Sequence, residues 1–178
     1  MSNQLPSREQ ATKLLRKNNC STPVIRHCQT VAAISLEIAS QLQKKGLNLD
    51  LKLVEAGALL HDIGRSKTNA VEHGLVGAQI AEAEGLPQPV VRIIRRHVGG
   101  GITAEEAAAL GWPRDVYVPV SLEEKIVSYA DKLVDTSKRG RVPIDVEIAR
   151  LQSKGLEDAA ERVRKLHEEI ASLLSGST

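Results

Sequence analysis

Signals that begin or end an α-helix recur along this chain, and they constrain its fold more than any other feature. Three capping boxes, in which side chains bond the free N–H groups of a first helical turn, are Ser7-x-x-Gln10, Thr103-x-x-Glu106 and Ser121-x-x-Glu124. No segment alternates apolar and polar residues over the length of a strand. The sequence therefore predicts an all-α protein with a bundle of about eight or nine helices.

The longest predicted helix begins at Thr22-Pro23 and ends at Gly46, where proline suits a first turn and glycine an end. Its apolar residues step by three or four positions and are Val24, Cys28, Val31, Ile34, Ile38 and Leu42. This spacing predicts one buried stripe along the helix. Because the chain has no Phe and one Trp, aliphatic side chains must fill the core.

Gly57 lies on the inward row of the next predicted helix, which spans about residues 50–63. A glycine inside a helix costs stability, because it loses more conformational freedom on folding than other residues. We therefore expect a neighbouring helix to approach closely at this position.

The composition narrows the class of protein. A formal net charge of +2 disfavours a surface built for nucleic acid, and no nucleic-acid duplex is expected as a partner. The two cysteines, Cys20 and Cys28, form no CxxC pair, which argues against a zinc finger and favours a reducing compartment. No apolar run resembles a signal peptide or a membrane span, so we expect a cytoplasmic protein without a membrane partner.

The composition changes near Pro143, where the chain becomes charged and amphipathic. We predict a metal-binding helical domain over residues 1–142 and a C-terminal helical extension over 143–178, packed on the same domain. The extension is expected to cap the fold or to form a homo-oligomer.

Six polar residues fall on or beside segments that otherwise have the pattern of buried apolar helix. They are His27, His61, Asp62, His73, His97 and Asp131. Burying such groups costs free energy unless a partner satisfies them, and one metal centre would satisfy all six. Histidine nitrogen with carboxylate oxygen and no thiolate suits Fe, Mn, Co, Ni or Zn. Taken singly, each histidine could instead be a hydrogen-bonded core residue, and His73 could simply cap its helix.

The ordered set His27…His61-Asp62…Asp131 resembles the HD-domain superfamily of metal-dependent phosphohydrolases, and the string HDIG resembles its HDIG subgroup. The resemblance covers roughly residues 20–140. It implies an all-α core in which these four residues ligate one metal ion. It also implies that His73 and His97 hold a second ion, so the expected cofactor is two divalent transition-metal ions.

The chain departs from the family pattern at Arg65, where many hydrolytic members carry lysine. A guanidinium can hold a phosphate through two hydrogen bonds but cannot donate a proton near neutral pH. The chain also lacks a Gly-Tyr-Pro string, so cyclic-di-GMP hydrolysis of the type named for that string is not expected.

Asp62 and Arg65 are the predicted catalytic residues. Asp62 follows His61 at a predicted helix end, where its carboxylate can bridge two ions or accept a proton from the attacking water. Arg65, Lys67 and Arg96 are the predicted substrate-binding residues, because cations near the ligands suit an anionic substrate.

These residues favour a phosphohydrolase or phosphodiesterase that acts on a nucleotide or another small phosphate ester through a metal-activated hydroxide. A second hypothesis is a di-iron oxygenase, since some proteins of this fold use the same six ligands with two irons. A third is a non-catalytic sensor or scaffold stabilised by metal. The six-residue set argues against the third, because a structural site is usually closed by four ligands.

Overall fold

A computed structural model describes residues 4–135 and 140–176. The helices in this part are α1 (Arg8–Lys17), α2 (Thr22–Lys44), α3 (Leu51–Leu60), α4 (His73–Ala83), α5 (Gln88–Arg96), α6 (Ala104–Ala109), α7 (Leu122–Lys132), α8 (Ile144–Ser153) and α9 (Glu157–Ser175). Two 3₁₀ turns span Ile63–Ser66 and Val98–Gly100. The strands β1 (Val134–Asp135) and β2 (Gly140–Arg141) pair antiparallel. The predicted all-α helical bundle is confirmed.

The three predicted capping boxes form as expected at the starts of α1, α6 and α7. In each, the hydroxyl of Ser7, Thr103 or Ser121 accepts a hydrogen bond from the third backbone N–H of the helix. The Gln or Glu at that third position bonds back to the N–H of the capping residue. Two otherwise unpaired donors are thereby satisfied at each helix start.

The core is built around α2, which packs against α3 and α7. Cys28, Val31, Ile38 and Leu42 are almost fully buried, so the predicted stripe faces inward. Each large aliphatic side chain that is buried in this way stabilises the fold by about 1.5–3 kcal/mol relative to exposure. No helix in the described part of the chain is long and apolar enough to cross a membrane.

Two glycines permit the close approaches on which the fold depends. A Cβ at Gly57 would lie 2.4 Å from Cδ1 of Ile93, which confirms the expected contact and identifies the neighbouring helix as α5. A Cβ at Gly64 would lie 2.0 Å from the backbone oxygen of His73. The 3₁₀ turn after α3 therefore meets the start of α4 backbone to backbone.

The structure corrects one predicted helix bound. The helix predicted to span about residues 50–63 ends at Leu60, and the chain continues into the 3₁₀ turn. Helix α7 ends at Lys132, because the next residues pair with β2. Strands of two residues are too short to carry an alternating pattern, so the sequence did not predict them. Helix α5 begins at Gln88, because a proline fits the first turn.

The C-terminal helices close one side of the bundle. Helices α8 and α9 pack together, and α9 also contacts α7, α2 and the 3₁₀ turn at Val98–Gly100. Val163 and Ile170 are fully buried in this contact. The division of the chain at residue 142 stays a prediction.

We predict that Gly57→Ala destabilises the protein by about 1–3 kcal/mol, because the added methyl overlaps the Ile93 side chain. The measurement is urea unfolding of Gly57→Ala, Ile93→Ala and the double variant. Because Ile93→Ala makes room for the methyl group, the double variant should lose less free energy of unfolding than the sum of the single variants. Additive losses would mean that the contact is not tight.

Candidate metal centre

The structure brings the six predicted ligands together. They come from five places in the fold: α2 (His27), the end of α3 (His61 and Asp62), the start of α4 (His73), the end of α5 (His97) and α7 (Asp131). Their side chains are between 0% and 13% exposed. Residues more than a hundred positions apart in the sequence thus meet in one buried cluster.

One group of ligand atoms lies between α2, α3 and α7. Nε2 of His27 is 2.9 Å from Oδ1 of Asp131 and 3.3 Å from Nε2 of His61. Nε2 of His61 is 3.4 Å from the same Asp131 oxygen. The three atoms can therefore share one ion.

A second group lies between α4 and α5. Nε2 of His73 is 3.1 Å from Nε2 of His97. These nitrogens lie 3.3 Å and 3.4 Å from Oδ1 of Asp62. The other oxygen, Oδ2, is 3.7 Å from Nε2 of both His27 and His61 in the first group. Asp62 therefore directs one oxygen to each group.

Backbone carbonyls fix the orientation of three imidazoles. Nδ1 of His61, His73 and His97 each lies 2.7 Å from the carbonyl oxygen three residues earlier in the chain. A carbonyl can only accept, so each Nδ1 carries a proton, and the neutral form of the ring, which is the form that binds metal, presents a bare Nε2. At the ends of α3 and α5 this bond also satisfies a carbonyl of the last helical turn, where the helix supplies no partner.

These atoms fit a metal better than they fit one another. Bare Nε2 atoms face each other in the His73–His97 pair, and the buried Oδ1 of Asp62 has no hydrogen-bond partner among the described residues. Ligands bonded at about 2.1 Å lie about 3.0 Å apart around an octahedral ion and about 3.4 Å apart around a tetrahedral one. The measured separations of 2.9–3.7 Å suit such ions. A cation between the atoms would satisfy all of them.

The protonation states also suit metal binding. Burial by itself would raise the pKa of Asp62, but its electrostatic interaction with His61 and the other imidazoles holds that pKa well below its usual range. The same interaction raises the pKa of His61, so a bound cation would take the place of a proton on this ring. Burial likewise opposes ionisation of Asp131, and Lys132 with the adjacent imidazoles outweighs it and keeps that pKa low. Burial lowers the pKa of His97 to about 4, so this ring is neutral at neutral pH. Ionised carboxylates and neutral imidazoles are the forms that bind metal.

Two cations contact the ligand carboxylates. Nε of Arg65 lies 2.6 Å from Oδ2 of Asp62, and the Arg65 side chain is 31% exposed. Nζ of Lys132 lies 2.6 Å from Oδ2 of Asp131. Lys132 was not among the predicted substrate-binding residues.

The other two predicted substrate-binding residues lie elsewhere. Arg96 directs Nη1 to both carboxylate oxygens of Glu124 and Nε to the carbonyl of Val116. Lys67 directly follows the 3₁₀ turn at Ile63–Ser66, and it is exposed to solvent. Neither residue lines the cavity at the metal centre, and their roles in binding substrate stay predictions.

A cavity of about 490 Å³ opens onto the first ligand group. Its floor carries His27, Asp62 and Asp131, with Arg65 and Lys132 beside them. Its sides come from the start of α2, from β1, from Val142 just after β2, and from α8. Sequence reasoning missed these side residues, because nothing in their local pattern indicates that α8 lies near the start of α2.

A comparison with protein-family models identifies the family of this fold. The model of the HD domain matches residues 24–134, a range that contains all six predicted ligands. The chain belongs to the HD-domain family. The sequence-based resemblance to this family is thereby confirmed at the level of the superfamily.

Two relatives match this HD-domain protein along nearly its whole length. An uncharacterised protein of Methanocaldococcus jannaschii is 43% identical over 93% of this chain and 98% of its own length. A tRNA (cytidine(56)-2'-O)-methyltransferase of Picrophilus torridus is 41% identical over 95% of this chain but only 48% of its own length. The chain thus spans about half the length of that methyltransferase.

A solved structure has the same fold. The HD domain of the Listeria monocytogenes phosphodiesterase PgpH, in complex with cyclic-di-AMP, superposes with a TM-score of 0.58 and 18% sequence identity. The match covers 93% of this chain and 97% of that chain. At this identity the likeness establishes the helical fold.

We predict that the wild-type protein binds two divalent ions and that His97→Ala binds one, because His97 belongs only to the second group. The measurement is metal content by mass spectrometry after loading with Mn²⁺ and dialysis. His167→Ala is the control, because His167 is the one histidine outside the predicted ligand set and is hydrogen-bonded to Tyr129. This variant should retain two ions. Two ions in His97→Ala would contradict this assignment.

Proposed function

We propose that the protein is a metal-dependent phosphohydrolase or phosphodiesterase that acts on a nucleotide or another small phosphate ester. The observation that carries the proposal is the position of Asp62, whose two oxygens face two separate groups of imidazoles. A carboxylate in this position suits a centre of two adjacent ions. Such centres are used to displace an oxygen at phosphorus.

The ions would come from Fe, Mn, Co, Ni or Zn, because the donor set contains imidazole nitrogen and carboxylate oxygen without thiolate. Ions held there would polarise the phosphoryl group and lower the pKa of a water molecule. Asp62 would hold the ions and thereby position that water for attack. Arg65 would hold the phosphate, since only its Nε is bonded to Asp62 and its side chain reaches the cavity.

The charge of the cavity supports an anionic substrate. Its described lining contains four carboxylates, from Asp62, Asp131, Asp135 and Glu147, and three cations, from Arg65, Lys132 and Arg150. The formal charge is thus −1 without metal, and two divalent ions would change it to +3. A phosphate group would then compensate the excess positive charge.

The cavity and the relatives narrow the substrate to a small one. A volume of about 490 Å³ lies within the range of roughly 300–1,000 Å³ that is usual for small-molecule sites. The PgpH domain binds a cyclic dinucleotide, and the Picrophilus torridus relative is named for action on tRNA. We therefore propose a nucleotide, or the end of an RNA chain, as the substrate class.

The first experiment measures metal content and hydrolysis on protein purified without added metal, with released phosphate as the readout for monoesters and separation of the products as the readout for diesters. The panel contains nucleoside mono-, di- and triphosphates, cyclic dinucleotides, a short oligoribonucleotide and p-nitrophenyl phosphate esters. Two ions per chain with hydrolysis would support the proposal. Two irons with oxygen consumption and no hydrolysis would support the oxygenase instead, and tightly held metal without any turnover would support a scaffold.

Asp62→Ala should reduce turnover by roughly 10³-fold or more, because the variant loses the carboxylate shared by both groups and with it several kcal/mol of transition-state stabilisation. Circular dichroism should show an unchanged helical content. Asp145→Ala is the matched control, since that exposed carboxylate lies outside the cavity. Full activity in Asp62→Ala would rule out a mechanism with two ions.

A further inference from the structure

One side of the cavity is formed by residues that follow the HD-domain match. Val142, Val146, Glu147 and Arg150 line it, and they lie beyond residue 134, where the match ends. They face the same cavity as the ligands His27, Asp62 and Asp131. A substrate held at the metal centre would therefore also contact α8.

Arg150 is the cation on this side of the cavity. Its Nε and Nη2 each donate a hydrogen bond of 2.6 Å to the carboxylate of Glu147. Nη1 has no hydrogen-bond partner among the described residues. Because a guanidinium has five N–H donors, Arg150 can contact a substrate without leaving Glu147.

A similar pair on α9 provides a comparison. Arg164 bonds Glu161 with the same spacing of three residues, and both side chains are more than 40% exposed. Such surface pairs contribute little to stability. In the α8 pair the Arg150 side chain is 51% exposed, but the Glu147 side chain is only 14% exposed and both residues line the cavity. The two hydrogen bonds to the buried Glu147 carboxylate hold one edge of the Arg150 guanidinium at the side of the cavity.

The charge environment of Arg150 changes when metal binds. Hydrogen bonding to Glu147 raises the pKa of Arg150, and the charges of Asp131 and Asp135 raise it further. Arg150 and the Asp131 carboxylate also line the same cavity, so the two charges face a common space. Ions bound at that carboxylate would replace attraction by repulsion, and an anion lying between them and Arg150 would remove the repulsion.

Apolar side chains also line the cavity. Pro23 and Val24 come from the start of α2, and Val134, Val142 and Val146 come from β1 and the region of α8. They can pack against an organic group such as a base or a sugar ring. With metal ions bound, the cavity would thus combine a cationic floor, apolar sides and a second cation.

We propose that Arg150 binds a phosphoryl oxygen of the substrate, so that α8 completes the substrate site of the HD domain. The proposal rests on the proposed phosphohydrolase function. The oxygen belongs either to the phosphate held at the metal ions or to a second phosphate of the same substrate. Arg150 contributes binding and no proton transfer, because its guanidinium stays charged.

The test is calorimetric binding of inorganic phosphate and of pyrophosphate to the Mn²⁺-loaded full chain. Arg150→Ala should weaken the binding of at least one of them by about tenfold or more, the loss expected for a charge-assisted hydrogen bond. Arg150→Lys should recover part of this affinity, because it keeps the charge and loses the fork. Arg164→Ala, the matched control, should bind both anions as the wild type does.

The two anions distinguish the two sources of the oxygen. Weaker binding of inorganic phosphate would indicate contact with the phosphate at the ions, and weaker binding of pyrophosphate alone would indicate a second phosphate. Equal affinity of Arg150→Ala and wild type for both anions would overturn the proposal, as would the absence of binding by the wild type. Metal content and circular dichroism of each variant ensure that a loss reflects Arg150 itself.

This binding test can fail while the proposed function stands. Hydrolysis of a phosphate ester with unchanged anion binding in Arg150→Ala would remove only the role of Arg150. Conversely, an Arg150-dependent affinity for phosphate in a protein that hydrolyses nothing would remove only the hydrolase.

Discussion

The buried contact between the Asp62 carboxylate and two groups of imidazole nitrogens is the constraint on which the structure depends. In the second group the bare nitrogens of His73 and His97 lie only 3.1 Å apart. Lone pairs at such a distance repel each other, and an unpartnered carboxylate oxygen in a dry interior is costly. Positive charge must compensate both. The packing of these helices therefore does more than bury apolar surface, because it also holds these polar groups close together. The helices are α2, α3, α4, α5 and α7.

Helix ends supply much of the precision of this centre. His61 and His97 follow the last residues of α3 and α5, where helical carbonyls lack N–H partners. Each imidazole satisfies such a carbonyl through Nδ1 and thereby directs Nε2 inward. One hydrogen bond ends the helix, fixes the tautomer and orients the ligand. An ionised carboxylate could not take this role, because it has no proton to donate to the helical carbonyl.

The sequence was sufficient for the helical fold and for the set of six residues, because both leave periodic or local signals. Polar residues on otherwise apolar helical rows, such as His27 and Asp131, are conspicuous for energetic reasons. The cavity was not predictable in the same way. Arg150 lies on an ordinary amphipathic helix, and only the tertiary fold, which places α8 and the start of α2 on the same cavity, brings it near the predicted ligands. Arg96 was predicted to bind substrate, but its guanidinium is bonded to Glu124. The sequence did not indicate this pair, because the two residues are distant in the chain.

The backbone contact at Gly64 has a consequence for how the centre tolerates change. The turn that carries Asp62 touches the first turn of α4 without intervening side chains, since even one Cβ at Gly64 would lie 2.0 Å from the carbonyl oxygen of His73. The position of His73 relative to the turn that carries Asp62 is thus set by main-chain dimensions. A substitution at Gly64 would change this spacing directly, whereas a substitution among the aliphatic side chains of the core does not act on it through this contact.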